Sequence, residues 1–319
     1  MRTILLWCLA ITLAGTEYAL AQPYPTRPIR WVVAGAPGGS ADAVARLLAP
    51  ELSQLWGQQV VVDNRTGGSA TIGAHLVAEA PADGYTWLFG TGQHTVIQGL
   101  VKKMPYDIAR DFAPVAYFAL TRYLLMVHPA VPAKSVKELI ALAKARPGQL
   151  NFASGGIGST GFLSGALLQV MTGINMAHVP YKGGGLALTD LLGGHVDLMF
   201  PSIPSAVPFY KSGKLRGLGV TSPRRHPLLP DIPAIAETLS GYEMQTWFGI
   251  LVPAGTPREI VTRVNAAFVK IVNTPTTNAA LIARGADPET STPEEFARLI
   301  KGELVRNAKL LRAAGLEPR

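Results

Sequence analysis

Pro37-Gly38-Gly39-Ser40-Ala41-Asp42 joins a β-branched run, Trp31-Val32-Val33, to an amphipathic stretch that begins at Ala41. A glycine turn that enters a helix leaves backbone N–H groups unpaired at the positive end of the helix dipole. Such groups hold an anion without any charged side chain. The N–H groups of Gly39, Ser40 and Ala41 can point at one carboxylate, with the Ser40 hydroxyl as a further donor. Asp42 complements the dipole from the first turn. The device recurs at Ser154-Gly155-Gly156-Ile157-Gly158-Ser159-Thr160, where Ser159 and Thr160 offer hydroxyls at a helix start. Either turn alone is equally a plain strand-to-helix connection, since glycine-rich turns are common in α/β folds. Two of them suggest a carboxylate gripped between two lobes.

Further candidates follow other strand-like runs. Thr91-Gly92-Gln93-His94 closes one of them, and His94 is either a hydrogen-bonding group at the site or a structural histidine. Pro180-Tyr181-Lys182-Gly183 closes another, with Tyr181 as a pocket wall or a packed tyrosine. Asp197 and Phe200-Pro201-Ser202 stand at a third. Gly156, Gly158 and Gly161 spell G-x-G-x-x-G, but the acid required about twenty residues later in a dinucleotide site is missing, the nearest later candidate being Asp190. Carboxylate binding is the better reading of that turn. There is no G-x-S-x-G, and the six histidines never adopt metal-ligand spacing. Catalysis, a metal and a cofactor are therefore not expected. A secreted enzyme acting on a small carboxylic acid is the alternative.

The chain has 319 residues and a formal charge of +8. Lys and Arg are scattered, which argues against nucleic acid as a partner and favours small anions. Residues 1–21 read as a secretory signal: Arg2, the apolar run Ile4–Leu13, and Ala19-Leu20-Ala21 as the cleavage site. Cleavage after Ala21 leaves 298 residues, places the product in the periplasm and removes Cys8, the one cysteine. Disulfides and thiolate chemistry are then excluded.

Strands alternate with glycine turns and helices. The spacing predicts strands at Ile29–Val33, Gln59–Val62, Tyr85–Phe89, Leu124–Val127, Leu150–Ala153, Ala177–Val179, Val196–Phe200, Leu215–Val220 and Trp247–Val252. Helices are expected at Ala41–Leu55, Thr71–Glu79, Val136–Ala145, Thr160–Met171, Leu186–Leu192, Ser205–Lys211, Pro257–Val272, Thr276–Arg284 and Thr292–Ala314. The last opens Thr292-Pro293-Glu294-Glu295, with an N-cap, a first-position proline and first-turn acids. The proline-rich Pro223–Pro233 reads as an irregular return crossing. Near-continuous apolar strands imply mostly parallel sheets flanked by helices. The expected fold is α/β with two lobes, 22–122 plus 240–319 and 123–239. Hinges are expected near Arg122–Leu124 and Leu239–Thr246.

The ordered motifs Tyr24-Pro25-x-Arg27-Pro28-Ile29, Pro37-Gly38-Gly39-x-x-Asp42, Val61-Val62-Asp63-Asn64-Arg65 and Asp83-Gly84-Tyr85-Thr86 carry a wider likeness. It continues through His178-Val179-Pro180-Tyr181-Lys182-Gly183, Leu191-Leu192-Gly193-Gly194-His195-Val196-Asp197, Gly213-Lys214-Leu215-Arg216, Leu229-Pro230-Asp231-Ile232-Pro233 and Trp247-Phe248-Gly249. In these the chain resembles the extracytoplasmic solute receptors of tripartite tricarboxylate transporters, the Bug (Bordetella uptake gene) receptors. The resemblance implies a periplasmic Venus-flytrap protein that closes on an organic carboxylate and delivers it to a membrane permease; the chain is expected to be a monomer. It also implies that backbone amides and ordered water at Pro37–Asp42 and Ser154–Thr160 hold the carboxylate. Family members commonly carry an aromatic residue and a proline before the first turn, where this chain has Ala34-Gly35-Ala36. That departure leads to the expectation of a roomier pocket and a bulkier or aromatic acid.

Overall fold

The computed structural model describes residues 24–35, 37–181 and 183–316. The expected signal segment, Ala36 and Lys182 lie outside the described residues. Two sheets organise the rest, as expected for a two-lobed α/β fold. The first runs in the order β11 (Asp287–Pro288), β4 (Phe112–Arg122), β10 (Gln245–Pro253), β3 (Thr86–Thr91), β1 (Ile29–Val33) and β2 (Val60–Asn64). The second runs β7 (Ala177–Pro180), β6 (Asn151–Ser154), β8 (Leu198–Met199), β5 (Leu124–Val127) and β9 (Arg216–Val220).

Strand alternation decides which helix covers which face. Trp31 and Val33 of β1 point into a core with α1 (Ser40–Trp56) and α8 (Arg258–Val272), through Val44, Leu48, Val264 and Phe268. Val32, between them, points the other way, toward α2 (Thr71–Ala78) and α10 (Pro293–Ala313). An aromatic nucleus holds the first face: Trp31 stacks on Phe89 at 5.6 Å, and Phe118 stacks on Phe268 at 5.3 Å. Burying each such ring contributes roughly 1.5–3 kcal/mol. In the second lobe, Leu125 and Val127 face α4 (Val136–Ala145) and α5 (Thr160–Thr172). Leu124 and Met126 face α6 (Gly184–Leu192) and α7 (Ile203–Lys211). Two more helices, α3 (Gln93–Ile97) and α9 (Pro275–Ala283), complete the first lobe's rim.

Each sheet is mixed where the sequence pattern suggested mostly parallel pairing. β1 pairs parallel with β2 and β3, but β10 runs antiparallel to both β3 and β4. In the second sheet β6 is parallel to β7 and β8, while β5 is antiparallel to β8 and β9. The antiparallel strands enter where the chain passes between lobes. β4 gives way to β5 across the single residue Tyr123, and β10 returns beside it with Gln245 opposite Arg122. The proline-rich stretch 223–233 is irregular, as expected, but it does not cross. Leu229 and Ile232 pack into the second lobe's core, and Val220 N–H bonds the Pro233 carbonyl. The return crossing comes later, just after Met244 N–H bonds the Thr221 carbonyl.

Candidate functional site

A cavity of about 610 Å³ lies between the lobes. The first lobe contributes Ser40, Thr91, Thr121, Thr246 and Arg284, and the second contributes the 155–161 turn, Gly183–Gly185, Phe200 and Ser202. Most of these residues follow the carboxyl ends of strands, where open α/β sheets place their ligands. Four helices of eight residues or more begin at the cavity: α1 at Ser40, α5 at Thr160, α6 at Gly184, and α7 just after Ser202. Their first-turn N–H groups lack intrahelical acceptors and carry the positive ends of four dipoles. Among the described residues no Asp or Glu lines the cavity, and Arg284 is its one charged group. Neutral donors that bind a carboxylate avoid the desolvation cost of a buried counter-charge.

The first turn is held by its own helix. Asp42 is buried at 4% exposure, and its carboxylate accepts from Gly38 N–H at 2.8 Å and Arg46 Nε at 2.9 Å. Burial pushes this carboxyl upward, but the Gly38 N–H, Arg46 and Asn64 outweigh it and hold Asp42 below the usual carboxylate range. Gly38 N–H is therefore committed, and Asp42 shapes the turn from behind the cavity. Pro37, Gly39 and Ala41 likewise stand back from the lining, and Ser40 is the residue of this turn that reaches it. Gly38 needs its freedom, with φ at +79°. Asp42→Ala should cost about 1–3 kcal/mol for the charged hydrogen bonds lost from Gly38 and Arg46, and weaken carboxylate binding. The wild-type advantage should shrink as pH falls, because a depressed carboxylate contributes stability above its unfolded pKa and loses it below. Urea unfolding of both proteins between neutral and acid pH reads this directly.

The second turn divides its labour. Gly155, Gly158, Ser159 and Thr160 line the cavity, while Ser154 and Gly156 do not. Ser154 is 1% exposed, and its Oγ lies 2.7 Å from His178 Nε2. Burial holds His178 below its ordinary pKa, and its hydrogen bond with Ser154 ties β6 to β7. Gly156 closes the loop: its carbonyl accepts from Ser159 Oγ at 2.7 Å, and its N–H donates to Ser154 Oγ at 3.1 Å. Ser159 caps α5 by accepting from Phe162 N–H at 3.2 Å, so its hydroxyl is spent on structure.

Three expected side chains sit elsewhere. His94 is 1% exposed, with Nδ1 3.0 Å from the Thr91 carbonyl and 3.1 Å from its N–H. Burial pushes His94 down to about 4, with the Thr91 backbone acting the other way, so it stays neutral near pH 7 and does not sense ligand charge. Tyr181 is not a cavity wall: its hydroxyl donates to Asp190 Oδ2 at 2.6 Å, fastening the turn to α6. Asp197 lies at the wrong end of its strand. Regular pairing in β8 begins at Leu198, and Asp197 exchanges hydrogen bonds of 2.8 and 3.0 Å with Asn151, the first residue of parallel β6. Gly35 is not among the lining residues, and a Cβ there would meet only Val33, at 3.9 Å. Room for a bulky ligand comes from the cavity's volume rather than from Gly35.

Sequence reasoning did not reach Thr121, Tyr123, Thr246, Phe248 and Arg284, which also line the cavity. Four of these lie in or beside the lobe crossings. Two crossing segments must pass the base of any cleft between two lobes, and that was the available signal.

The profile of the tripartite tricarboxylate transporter family receptor matches residues 44–316. The "UPF0065 protein in tcbD-tcbE intergenic region" of Pseudomonas sp. (strain P51) is 40% identical, covering 95% of this chain and 91% of that protein. Protein BugT of Bordetella pertussis is 36% identical over 92% of this chain and 91% of its own length. Among solved structures, R. palustris Rpa4515 with adipate is 40% identical with a TM-score of 0.80, covering 93% of this chain and 100% of that one. MatC of Rhodopseudomonas palustris with bound malate is 31% identical with a TM-score of 0.75, over 90% of this chain and 100% of its own.

Proposed function

The chain belongs to the tripartite tricarboxylate transporter receptor family, and on that premise we propose that it captures an organic carboxylate in the periplasm and delivers it to a tripartite permease. The family is one of receptors, and the chain is a binding protein rather than an enzyme. The observation that carries the reading is the convergence of four helix N-termini on one cavity whose described lining holds no acid. The relatives solved with adipate and malate support the ligand class. Ser40 and Thr160 stand at the helix starts that hold the carboxylate, with Thr91, Gly155, Gly158 and Phe200 around it. Asp42, Ser154, Gly156, Ser159 and Tyr181 keep the two turns in shape.

The lobes in this reading are those expected, 22–122 with 240–319 and 123–239, with the return boundary moved to 244/245 because Tyr242 and Met244 pack in the second lobe's core. Tyr123 and the step from Met244 to Gln245, within the expected segments 122–124 and 239–246, are the hinges. Their adjacency supports this: two neighbouring crossings define one axis about which the lobes close. The protein works as a monomer, released after cleavage at Ala21.

A thermal-shift screen of residues 22–319 against aliphatic and aromatic mono-, di- and tricarboxylates tests the proposal. A ligand at a hundred times its Kd stabilises the native state by about 2.7 kcal/mol, so a true ligand raises Tm in a concentration-dependent way. A shift with NAD or a non-acid, and with no carboxylate, would overturn the reading.

A further inference from the structure

We propose that Arg284 is the specificity-determining residue of this cavity, pairing with the second carboxylate of a dicarboxylate ligand. The assignment rests on the carboxylate-receptor reading above and names the substrate class of the same site. Arg284 follows α9 and contributes the one charged side chain in the described lining. Its Nη1 donates to the Ala280 carbonyl at 2.9 Å, and no carboxylate of the described residues pairs with it. Nε and Nη2 are left for a ligand, and a guanidinium suits a carboxylate in two-pronged geometry.

The fold brings this charge to a second anion-friendly corner. Gly285, next in the chain, has φ at +82°, and a Cβ there would stand 2.8 Å from Pro204 in the first turn of α7. Only glycine allows so close an approach between an element of the first lobe and a helix start of the second. Thr121 Oγ1 holds the Gly285 carbonyl at 3.0 Å. Arg284 is thereby set beside the opening of α7, where the Ser202 and Ser205 hydroxyls, 2.9 Å apart, also line the cavity. Ser202 makes no side-chain capping bond to α7, and Pro204 in its first turn has no N–H, so the Ser202 and Ser205 hydroxyls are the donors this corner offers.

The other anion-binding corner lies at the starts of α5 and α6, which follow β6 and β7. The Ser202 loop follows β8, and the strand order β7, β6, β8 separates the two corners by one to two strand spacings, about 5–10 Å. A linear diacid spans that interval, with one carboxylate on backbone amides and the other on Arg284. A monocarboxylate leaves Arg284 unpaired.

Isothermal titration of residues 22–319 with succinate, adipate and suberate, each against the monocarboxylate of equal length, tests this. At least one diacid should bind tighter than its counterpart. Arg284→Gln should reduce that preference by roughly tenfold or more, weakening the diacid far more than the monocarboxylate. Arg284→Lys should retain part of it. Wild-type protein with no diacid preference overturns the assignment. An unchanged preference in Arg284→Gln, or equal weakening of both acids, overturns it too. If wild-type protein binds no carboxylate in this series or in the thermal screen, the receptor reading itself falls.

Discussion

Gly155→Val should weaken carboxylate binding by about a hundredfold while leaving the apo protein folded. The position has no room for a side chain: a Cβ would stand 3.0 Å from the Gly184 backbone nitrogen and 3.4 Å from the Gly183 carbonyl carbon. Both neighbours are backbone, so neither can rotate aside, and valine's branched Cβ adds two more methyl groups. The relief available is to move the Gly183–Gly185 turn, which starts α6, away from the loop that starts α5. Two of the four converging helix starts then lose their common focus. Hydrogen bonds to a charged ligand contribute roughly 1.5–3 kcal/mol each. Losing one to two of them comes to about 3 kcal/mol, which is about two decades in Kd. Titration with the best acid from the thermal screen reads the loss, and near-UV circular dichroism of the apo variant checks the fold. Unchanged affinity would mean that the second turn does not hold the ligand. Loss of folding would instead assign Gly155 to packing, and Gly155→Ala then separates the two, since it adds the same Cβ without the branch.

The two anion-binding turns were legible because their chemistry is local. Glycine before a helix start is a property of a few consecutive residues, and the dipole follows from the helix alone. Helix ends read well for the same reason. Thr292 and Glu295 form the reciprocal cap that their spacing announces, with Glu295 Oε2 accepting from Thr292 N–H at 2.9 Å. β4 was illegible because its signals conflict. Its sequence, FAPVAYFALTR, is apolar on both faces and carries Pro114, which argues against a central strand. The structure accommodates Pro114 at a register shift, where the pairing slips between Ile250 and Leu251 of β10. Asp197 was misplaced because β8 pairs over only Leu198 and Met199. Both ends of so short a strand fall within one local run of residues, and that run does not say which end faces the cleft. Arg284 belongs to no local sequence motif. It reaches the cleft because Gly285 packs against Pro204 of the other lobe, a contact between residues far apart in the chain.

Glu303→Ala should destabilise the protein by about 2–4 kcal/mol, more than any change to the cavity's exposed hydroxyls. Glu303 is 3% exposed on α10, and its Oε2 accepts from Trp247 Nε1 at 2.8 Å, with Arg306 Nη2 3.2 Å from Oε1. Removing the carboxyl orphans the buried indole N–H and leaves a void, and each orphaned donor costs roughly 1–3 kcal/mol. Burial pushes the Glu303 carboxyl up, against the opposing pull of Arg306, Trp247 and Thr95. Thr95 Oγ1 lies 2.7 Å from the Gly92 carbonyl, 3.0 Å from Glu303 Oε2 and 3.0 Å from the Asn307 amide nitrogen. Its one proton is shared between the Gly92 carbonyl and Glu303 Oε2, and its oxygen accepts from Asn307. A raised carboxyl contributes stability below its unfolded pKa and loses it as pH rises through the folded value. Glu303→Gln cannot titrate, yet its amide oxygen at the Oε2 position still accepts from Trp247 Nε1 and Thr95 Oγ1. The wild-type advantage over Glu303→Gln should therefore be greatest in acid and shrink toward neutral pH, as read by urea unfolding of residues 22–319. An advantage that grows with pH would show Glu303 ionised and paired with Arg306. Gly92 N–H bonds Thr246 Oγ1 at 3.2 Å, and Thr246 lines the cavity, so the same cluster braces the cleft from behind. Glu303→Ala should then weaken carboxylate binding as well, through Thr246, whereas Glu303→Gln should leave it intact.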